Sequence, residues 1–336
     1  MPNQDLLNSR YQPESKSMEQ TDLDRAQQQI KSLAQVLPEF GPEAQADLQL
    51  NPALKIYLDF FKLPEPSDQL QLLAGKLTKG GQQTHLMLWK PPQSKGSVVI
   101  VHGYLDHTGL YGHLIKQLLE RQLTVVCFDL IGHGLSSGEP ASIDSFDQYV
   151  EQLNLVLEAS ADLCPAPLHG IGQSTGGAIL LKQLFDQDDG RDHRFVSLNL
   201  LAPLVQPRKW KIDRWLFKLT RPFRPTMNRV FRENSQDKEF LHFVRHMDPF
   251  QPHRLPAAWV SAMAEWVVEI GQYPENPFAI NVIQGDQDST VDWQHNINVL
   301  QSKFPNMGLH IIQQAGHHLV NEASGLREEI FAALKL

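Results

Sequence analysis

Cysteine is scarce: the 336 residues contain only Cys127 and Cys164. Cys127 lies inside the apolar run TVVCFDL, which reads as a buried strand. A disulfide framework is therefore not expected, and a reducing cytoplasm is the default setting. No apolar stretch approaches the length of about 18 residues that a membrane-crossing helix needs. Positive charge is also in deficit, with 30 Lys and Arg against 38 Asp and Glu and a formal net charge of −8, which argues against general affinity for nucleic acid. The opening stretch MPNQDLLNSRYQPESKSMEQ lacks the basic start and apolar run of a secretory leader. No Gly-x-x-x-x-Gly-Lys-Ser/Thr loop occurs, so no triphosphate cradle of that kind is expected. The expectation is a cytoplasmic protein, in contact with a membrane at most peripherally.

What is present is a regular alternation. Residues 1–48 are rich in Gln, Asp and Glu, and read as a flexible or loosely helical arm. NPALKIYLDFFKL follows as a short amphipathic helix with Pro at its start, and LQLLAGKL and QQTHLMLWK form a hairpin pattern through Lys79-Gly80-Gly81. From Ser97 onward, six apolar runs alternate with helical spacing: SVVIVHG, TVVCFDLIG, LHGIG, FVSLNLLAPL, FAINVIQGD and GLHIIQQ. Such runs suit strands buried on both faces, and their alternation with helices predicts an α/β fold with a mostly parallel sheet flanked by helices. One gap breaks the rhythm, and residues 206–276 are predicted to be an inserted helical cap between core segments 49–205 and 277–336.

The candidate chemistry falls at strand ends, where α/β sheets place their functional loops. Gly172-Gln173-Ser174-Thr175-Gly176 puts Ser174 on a strand-to-helix turn between small residues, the setting of a strained, exposed nucleophile. A serine hydroxyl needs a general base to become nucleophilic, and the base needs an orienting acid. Both follow in order. GDQDSTVD offers Asp286, Asp288 and Asp292; Asp288 is preferred for its Gly-x-x-Asp spacing, with Asp292 read as a helix cap. AGHHLVNE offers His317 and His318, of which His317 is favoured by its place directly after Ala315-Gly316. The oxyanion hole needs two backbone N–H donors, expected from Thr175 and from Tyr104 in the loop after SVVIVHG.

These motifs resemble those of α/β-hydrolases in the serine-hydrolase group that contains monoacylglycerol lipases, lysophospholipases and serine aminopeptidases. The resemblance spans roughly residues 70–336. It is carried by HGYLDHTGLY, FDLIGHGLSSGEP, GQSTGG, GDQDSTVD and AGHHLVNE. The chain departs from the family pattern at Asp106, Leu110, Gln173 and Thr175, where Glu, Arg, His and Met are usual; none of these removes a catalytic group. The resemblance implies an α/β-hydrolase fold, a Ser174–His317–Asp288 triad with Tyr104 and Thr175 as oxyanion donors, and an acyl-ester substrate. It implies no metal and no cofactor. Proline-type aminopeptidases and non-catalytic ligand-binding relatives on the same fold are the alternative readings.

Two features stand outside this frame. His242 and His246 are four apart in HFVRH, but the metalloprotease pattern wants Glu where Phe243 stands, so ordinary cap histidines are expected. The stretch from Arg208 to Arg232 carries nine Lys and Arg against one Asp, interleaved with Trp210, Trp215, Leu216 and Leu219. It reads either as a face that meets an anionic lipid surface or as a cap segment whose charges are simply solvated. Substrate-binding side chains are expected from the cap at large, and no particular ones are singled out.

Overall fold

Apolar runs that read as buried strands form the middle of an eight-stranded sheet. In the computed structural model, which describes residues 20–41, 51–186, 194–210 and 225–336, β1 (Gln71–Lys79) and β2 (Gln82–Lys90) make the antiparallel hairpin. β3 (Ser97–Val101), β4 (Thr124–Phe128), β5 (Leu168–Gln173) and β6 (Ser197–Leu201) follow. β7 (Thr226–Asn228) and β8 (Arg254–Pro256) form a separate ribbon, and β9 (Ile280–Gly285) and β10 (Gly308–Ile312) complete the main sheet. The order is β1-β2-β4-β3-β5-β6-β9-β10, antiparallel as far as β4 and parallel from there to β10.

Side-chain alternation divides the core in two. Val99 and Val101 of β3 join one cluster, while Val98 and Ile100 join the other, and all four are fully buried. Five helices among the described residues precede the cap: α1 (Gln20–Val36), α2 (Pro52–Phe60), α3 (Gly112–Glu120), α4 (Phe146–Ala159) and α5 (Thr175–Asp186). Residues 206–276, the predicted cap, carry α6 (Lys238–His246) and α7 (Ala257–Gln272), of which α7 packs into the core through Trp266 and Ile270, and the residues after them carry α8 (Trp293–Lys303) and α9 (Ser324–Ala332). Leu153, Ile179, Trp266 and Leu300 of α4, α5, α7 and α8 cover one face. Ile30, Tyr57, Leu114 and Ile330 of α1, α2, α3 and α9 cover the other.

Two segments differ from their sequence reading. Residues 20–36, expected to be flexible or only loosely helical, form α1 with Ile30 and Leu33 fully buried; the spacing of Leu23, Ile30, Leu33 and Leu37 supplies an apolar stripe within a polar sequence. The chain after it runs beside the edge strand, where the Lys76 N–H donates to Pro38 O (2.9 Å) and the Phe40 N–H to Lys76 O (2.8 Å), covering an otherwise unpaired edge. The described part of the cap is not wholly helical, because the β7–β8 ribbon lies within it. Residues 1–19 and 42–48 of the arm, and Trp215, Leu216 and Leu219 of the basic stretch, lie outside the described residues, whereas Trp210 is buried in the core. Among the described residues no helix is long and apolar enough to cross a membrane.

Candidate active site

The strand order turns around β3, whose neighbours are β4 on one side and β5 on the other, and ligand crevices form at such switch points. The loop after β3 and the turn after β5 therefore meet. Ser174 sits on that turn with φ +52°, a left-handed conformation unusual for a non-glycine residue. Its N–H donates to Leu201 O (2.8 Å), while its carbonyl accepts from Ala178 N (3.2 Å) and Leu204 N (3.0 Å). The flanking glycines make the turn possible. A Cβ on Gly172 would stand 2.5 Å from the Gly176 carbonyl carbon, and one on Gly176 would stand 1.9 Å from Val101 O.

His317 reaches this turn from the loop after β10. Its Nε2 lies 2.9 Å from Ser174 Oγ, and its Nδ1 lies 2.7 Å from Asp288 Oδ2. Ser174, His317 and Asp288 thus form one continuous hydrogen-bonded row, and all three are buried. Asp288 Oδ1 accepts from the backbone N–H groups of Thr290 (2.7 Å) and Val291 (3.1 Å). Burial alone would push the Asp288 carboxyl up, but the His317 imidazole and these two N–H groups outweigh it and hold the acid below the usual carboxylate range. The neighbouring candidates have other partners. Asp286 Oδ1 accepts from Gln314 N (2.7 Å), and Asp292 caps α8 through His295 N.

His318 has a different partner. Its Nε2 lies 3.1 Å from Asp106 Oδ1, and the other Asp106 oxygen accepts from Tyr111 OH (3.0 Å). Burial opposes ionisation of Asp106, yet His318 and the Tyr111 hydroxyl keep its pKa well below the usual value. The Tyr111 hydroxyl also accepts from Gly103 N (3.0 Å), which fixes the loop that carries Tyr104. Thr175 starts α5, so its N–H points from the positive end of a helix. Tyr104 and Thr175 line the same cavity as Ser174. The Tyr104 ring stacks on Trp259 of α7, with centroids 3.5 Å apart, and its hydroxyl donates to Ala141 O (2.8 Å).

Several supporting residues carry no motif in the sequence. Gln284 Nε2 donates to Asp288 Oδ2 (3.0 Å), and Gln173 Nε2 donates to the His317 carbonyl (2.8 Å). The cap holds the histidine loop directly, since Asn234 O accepts from both His317 N (2.9 Å) and His318 N (2.8 Å). Glu322 ties Gly316 N to Ser235 and Gln236. His242 and His246 are exposed on α6, and no group of three or more potential metal ligands occurs among the described residues.

Above Ser174 the loops and the cap enclose a cavity of about 800 Å³, with Leu204, Met227, Leu241, Val244, Leu255 and Met263 as its apolar wall. A family model described as serine aminopeptidase, S33, matches residues 92–324. The chain belongs to this family. It is 24% identical over 256 residues to a monoglyceride lipase homolog of monkeypox virus, covering 74% of this chain and 91% of the viral protein. It is 27% identical over 226 residues to a monoacylglycerol lipase of Mycolicibacterium smegmatis, covering 63% of this chain and 77% of that protein. A crystal structure of a soluble variant of monoglyceride lipase from Saccharomyces cerevisiae, in complex with a substrate analog, matches with a TM-score of 0.65 at 15% identity, over 76% of this chain and 91% of the other. At that identity the likeness is one of fold, and the fold is that of the α/β-hydrolases.

Proposed function

We propose that this hydrolase is a serine esterase that cleaves carboxylic esters of acyl-glycerol or lysophospholipid type through an acyl-enzyme. The observation that carries the reading is the row Asp288–His317–Ser174, with separations of 2.7 and 2.9 Å, opening onto a cavity with an apolar wall suited to an acyl chain. The names of the relatives support the same substrate class.

In this mechanism Ser174 Oγ attacks the ester carbonyl as His317 Nε2 accepts its proton, and Asp288 holds the imidazole by Nδ1 and stabilises its charged form. The oxyanion is received by the N–H groups of Thr175 and Tyr104; one such donor typically contributes about 3 kcal/mol. The ester C–O bond then breaks as His317 returns the proton to the leaving alcohol. Water, deprotonated by the same imidazole, adds to the acyl carbon, and Ser174 departs with the proton as the fatty acid is released. The steps call for no metal or cofactor.

The family description also names aminopeptidases, which must hold a free ammonium terminus with an acidic group. Glu233 is the carboxylate at the cavity that lacks an ion pair among the described residues, and it stands among five Arg and Lys side chains. That balance favours the ester over the peptide. A non-catalytic binding role has no comparable support, since Ser174, His317 and Asp288 stand hydrogen-bonded in the order that acyl transfer needs.

A fluorophosphonate probe tests the nucleophile, together with p-nitrophenyl esters of graded chain length, monoacylglycerol, lysophospholipid and a proline arylamide. Labelling and ester hydrolysis are expected, both lost in Ser174→Ala. Cleavage of the arylamide alone would give the peptidase reading instead, and labelling that survives Ser174→Ala would remove the assignment.

A further inference from the structure

The cap side of the cavity is lined by Arg208, Arg229, Arg232, Lys238 and Arg245. In a protein whose formal net charge is −8, this concentration of cations beside the reacting serine is not a consequence of composition. None of the five lies within 4.0 Å of a carboxylate among the described residues. Two acidic residues line the cavity with them: Asp106, which is engaged with His318, and Glu233.

Arg229 is the most enclosed of the set. It is partly buried, and its Nη1 donates only to neutral acceptors, Gln251 Oε1 (2.5 Å) and the Pro252 carbonyl (3.4 Å). Its guanidinium lies 4.2 Å from the centroid of the Phe231 ring. The Arg245 guanidinium approaches the same ring at 5.7 Å and donates to the Phe231 carbonyl (3.3 Å). Two positive groups therefore share one apolar platform among the residues that line the cavity. Like charges so placed repel, and Arg229, the partly buried one, loses hydration without an ion-pair partner among the described residues. Burial accordingly pushes the Arg229 pKa down, against the opposing pull of Asp106 and Asp248. Both of those carboxylates are already bonded to histidines, His318 and His107. An anion seated between the guanidinium forks would relieve repulsion and desolvation together.

We propose that this cap-side cluster is a subsite for a phosphate group carried by the ester substrate, with Arg229 and Arg245 as its forked donors. Phosphate fits better than a carboxylate because two guanidinium groups share the Phe231 ring and three further cations line the same cavity, whereas a carboxylate's two oxygens are filled by a single guanidinium fork. The phosphate takes no part in the bond changes; it places the glyceryl ester so that its carbonyl meets Ser174. The subsite rests on the esterase reading and names the substrate within it: a monoacylglycerol phosphate in preference to a neutral monoacylglycerol.

The test compares kcat/KM for monooctanoylglycerol and for its phosphate-bearing counterpart, monooctanoyl lysophosphatidic acid, both kept below aggregation. The phosphate form is expected to be favoured by about tenfold or more, the worth of one or two charge-assisted hydrogen bonds. The preference should shrink with added sodium chloride and collapse towards unity in Arg229→Gln/Arg245→Gln. Glycerol 3-phosphate should inhibit competitively, and less so in the double variant. Thermal melting checks that the variants fold; should Arg229→Gln not fold, the exposed Arg245→Gln alone must lower the ratio. Equal kcat/KM values in the wild-type protein, or a ratio unchanged in folded variants, would overturn the subsite. So would a gain seen only with vesicles containing phosphatidylglycerol, because the cations would then read a bilayer and not the substrate. Hydrolysis of the neutral ester that depends on Ser174 but shows no phosphate preference sinks the subsite alone. Absence of any Ser174-dependent hydrolysis sinks the esterase reading and the subsite with it.

Discussion

Gln284 donates to Asp288 through Nε2–H···Oδ2 at 3.0 Å, on the same carboxylate oxygen that faces His317 Nδ1 at 2.7 Å. The same amide donates to the Gly285 carbonyl (3.0 Å), so the side chain is pinned at the end of β9 and in turn orients the acid. Gln284 does not line the cavity, and in the proposed mechanism it would act as a positioning residue. Gln284→Leu is expected to lower kcat by about ten- to a hundredfold, the range of a hydrogen bond to a charged group, while leaving KM close to wild type. Steady-state kinetics on a soluble ester separates the two parameters. Parallel changes in kcat and KM would mean that the substitution disturbs the cavity and not the carboxylate.

The adjacent acids give a discriminating pair. Asp288 receives four hydrogen bonds, from His317, Gln284, Thr290 and Val291, while Asp286 is engaged with Gln314 N at the other side of the loop. Asp288→Asn is expected to reduce kcat by about 10⁴-fold, because the amide favours the wrong imidazole tautomer. Asp286→Asn should retain near wild-type turnover. The reverse pattern would transfer the role of acid to Asp286.

How far the sequence could reach depends on the kind of contact involved. Parallel strands buried on both faces write themselves as apolar runs, so VVIV and TVVCF announce β3 and β4 without reference to their neighbours. The Gly172 and Gly176 constraint is equally local, since only their missing Cβ atoms admit the turn at Ser174. Contacts across the chain leave no such trace. Gln284 reads as one polar residue in a strand, and its bond to Asp288 depends on how the following turn folds back. Asn234 contributes its backbone carbonyl to the histidine loop, a role any residue type could fill. The β7–β8 ribbon has three residues in each strand, too few for an alternation to be visible. α1 was legible in principle, through Ile30, Leu33 and Leu37, but its abundant Gln and Asp make the average polarity misleading.

The glycines offer a contrast in stability. Gly176 faces the Val101 carbonyl with no room for a methyl group, whereas a Cβ on Gly271, near the end of α7, would meet nothing within 4 Å. Gly176→Ala is expected to destabilise the protein by about 3 kcal/mol or more, because backbone and not a flexible side chain must yield. Gly271→Ala should stabilise it by up to about 1 kcal/mol through helix propensity. Urea unfolding midpoints measure both, and equal shifts would contradict the local geometry.

Part of the acid sensitivity should be traceable to His133, one of several histidines, with His102, His113 and His169, whose pKa burial lowers. Its Nδ1–H donates to Ile131 O (2.8 Å), its ring lies 5.5 Å from that of His102, and the side chain is buried. Burial, reinforced by His102 and only partly offset by the Ile131 carbonyl, Asp106 and Asp129, pushes its pKa from 6.5 down to about 3. The unfolded chain therefore binds a proton that the folded protein refuses. The contribution is fully present above about pH 6.5 and is lost progressively as pH falls towards about 3. Asp106, with its folded pKa below the ordinary 3.8, acts in a different window, since its contribution persists until the pH falls below about 4. Between pH 6.5 and 4.5 the unfolding free energy should thus fall, with His133 adding up to about 1.4 kcal/mol per pH unit to the slope. Gln in place of His133 keeps a donor for Ile131 O but cannot take up a proton, so His133→Gln should flatten that slope. Urea denaturation at half-unit pH steps gives the comparison, and an unchanged slope would show that the imidazole is protonated within the fold.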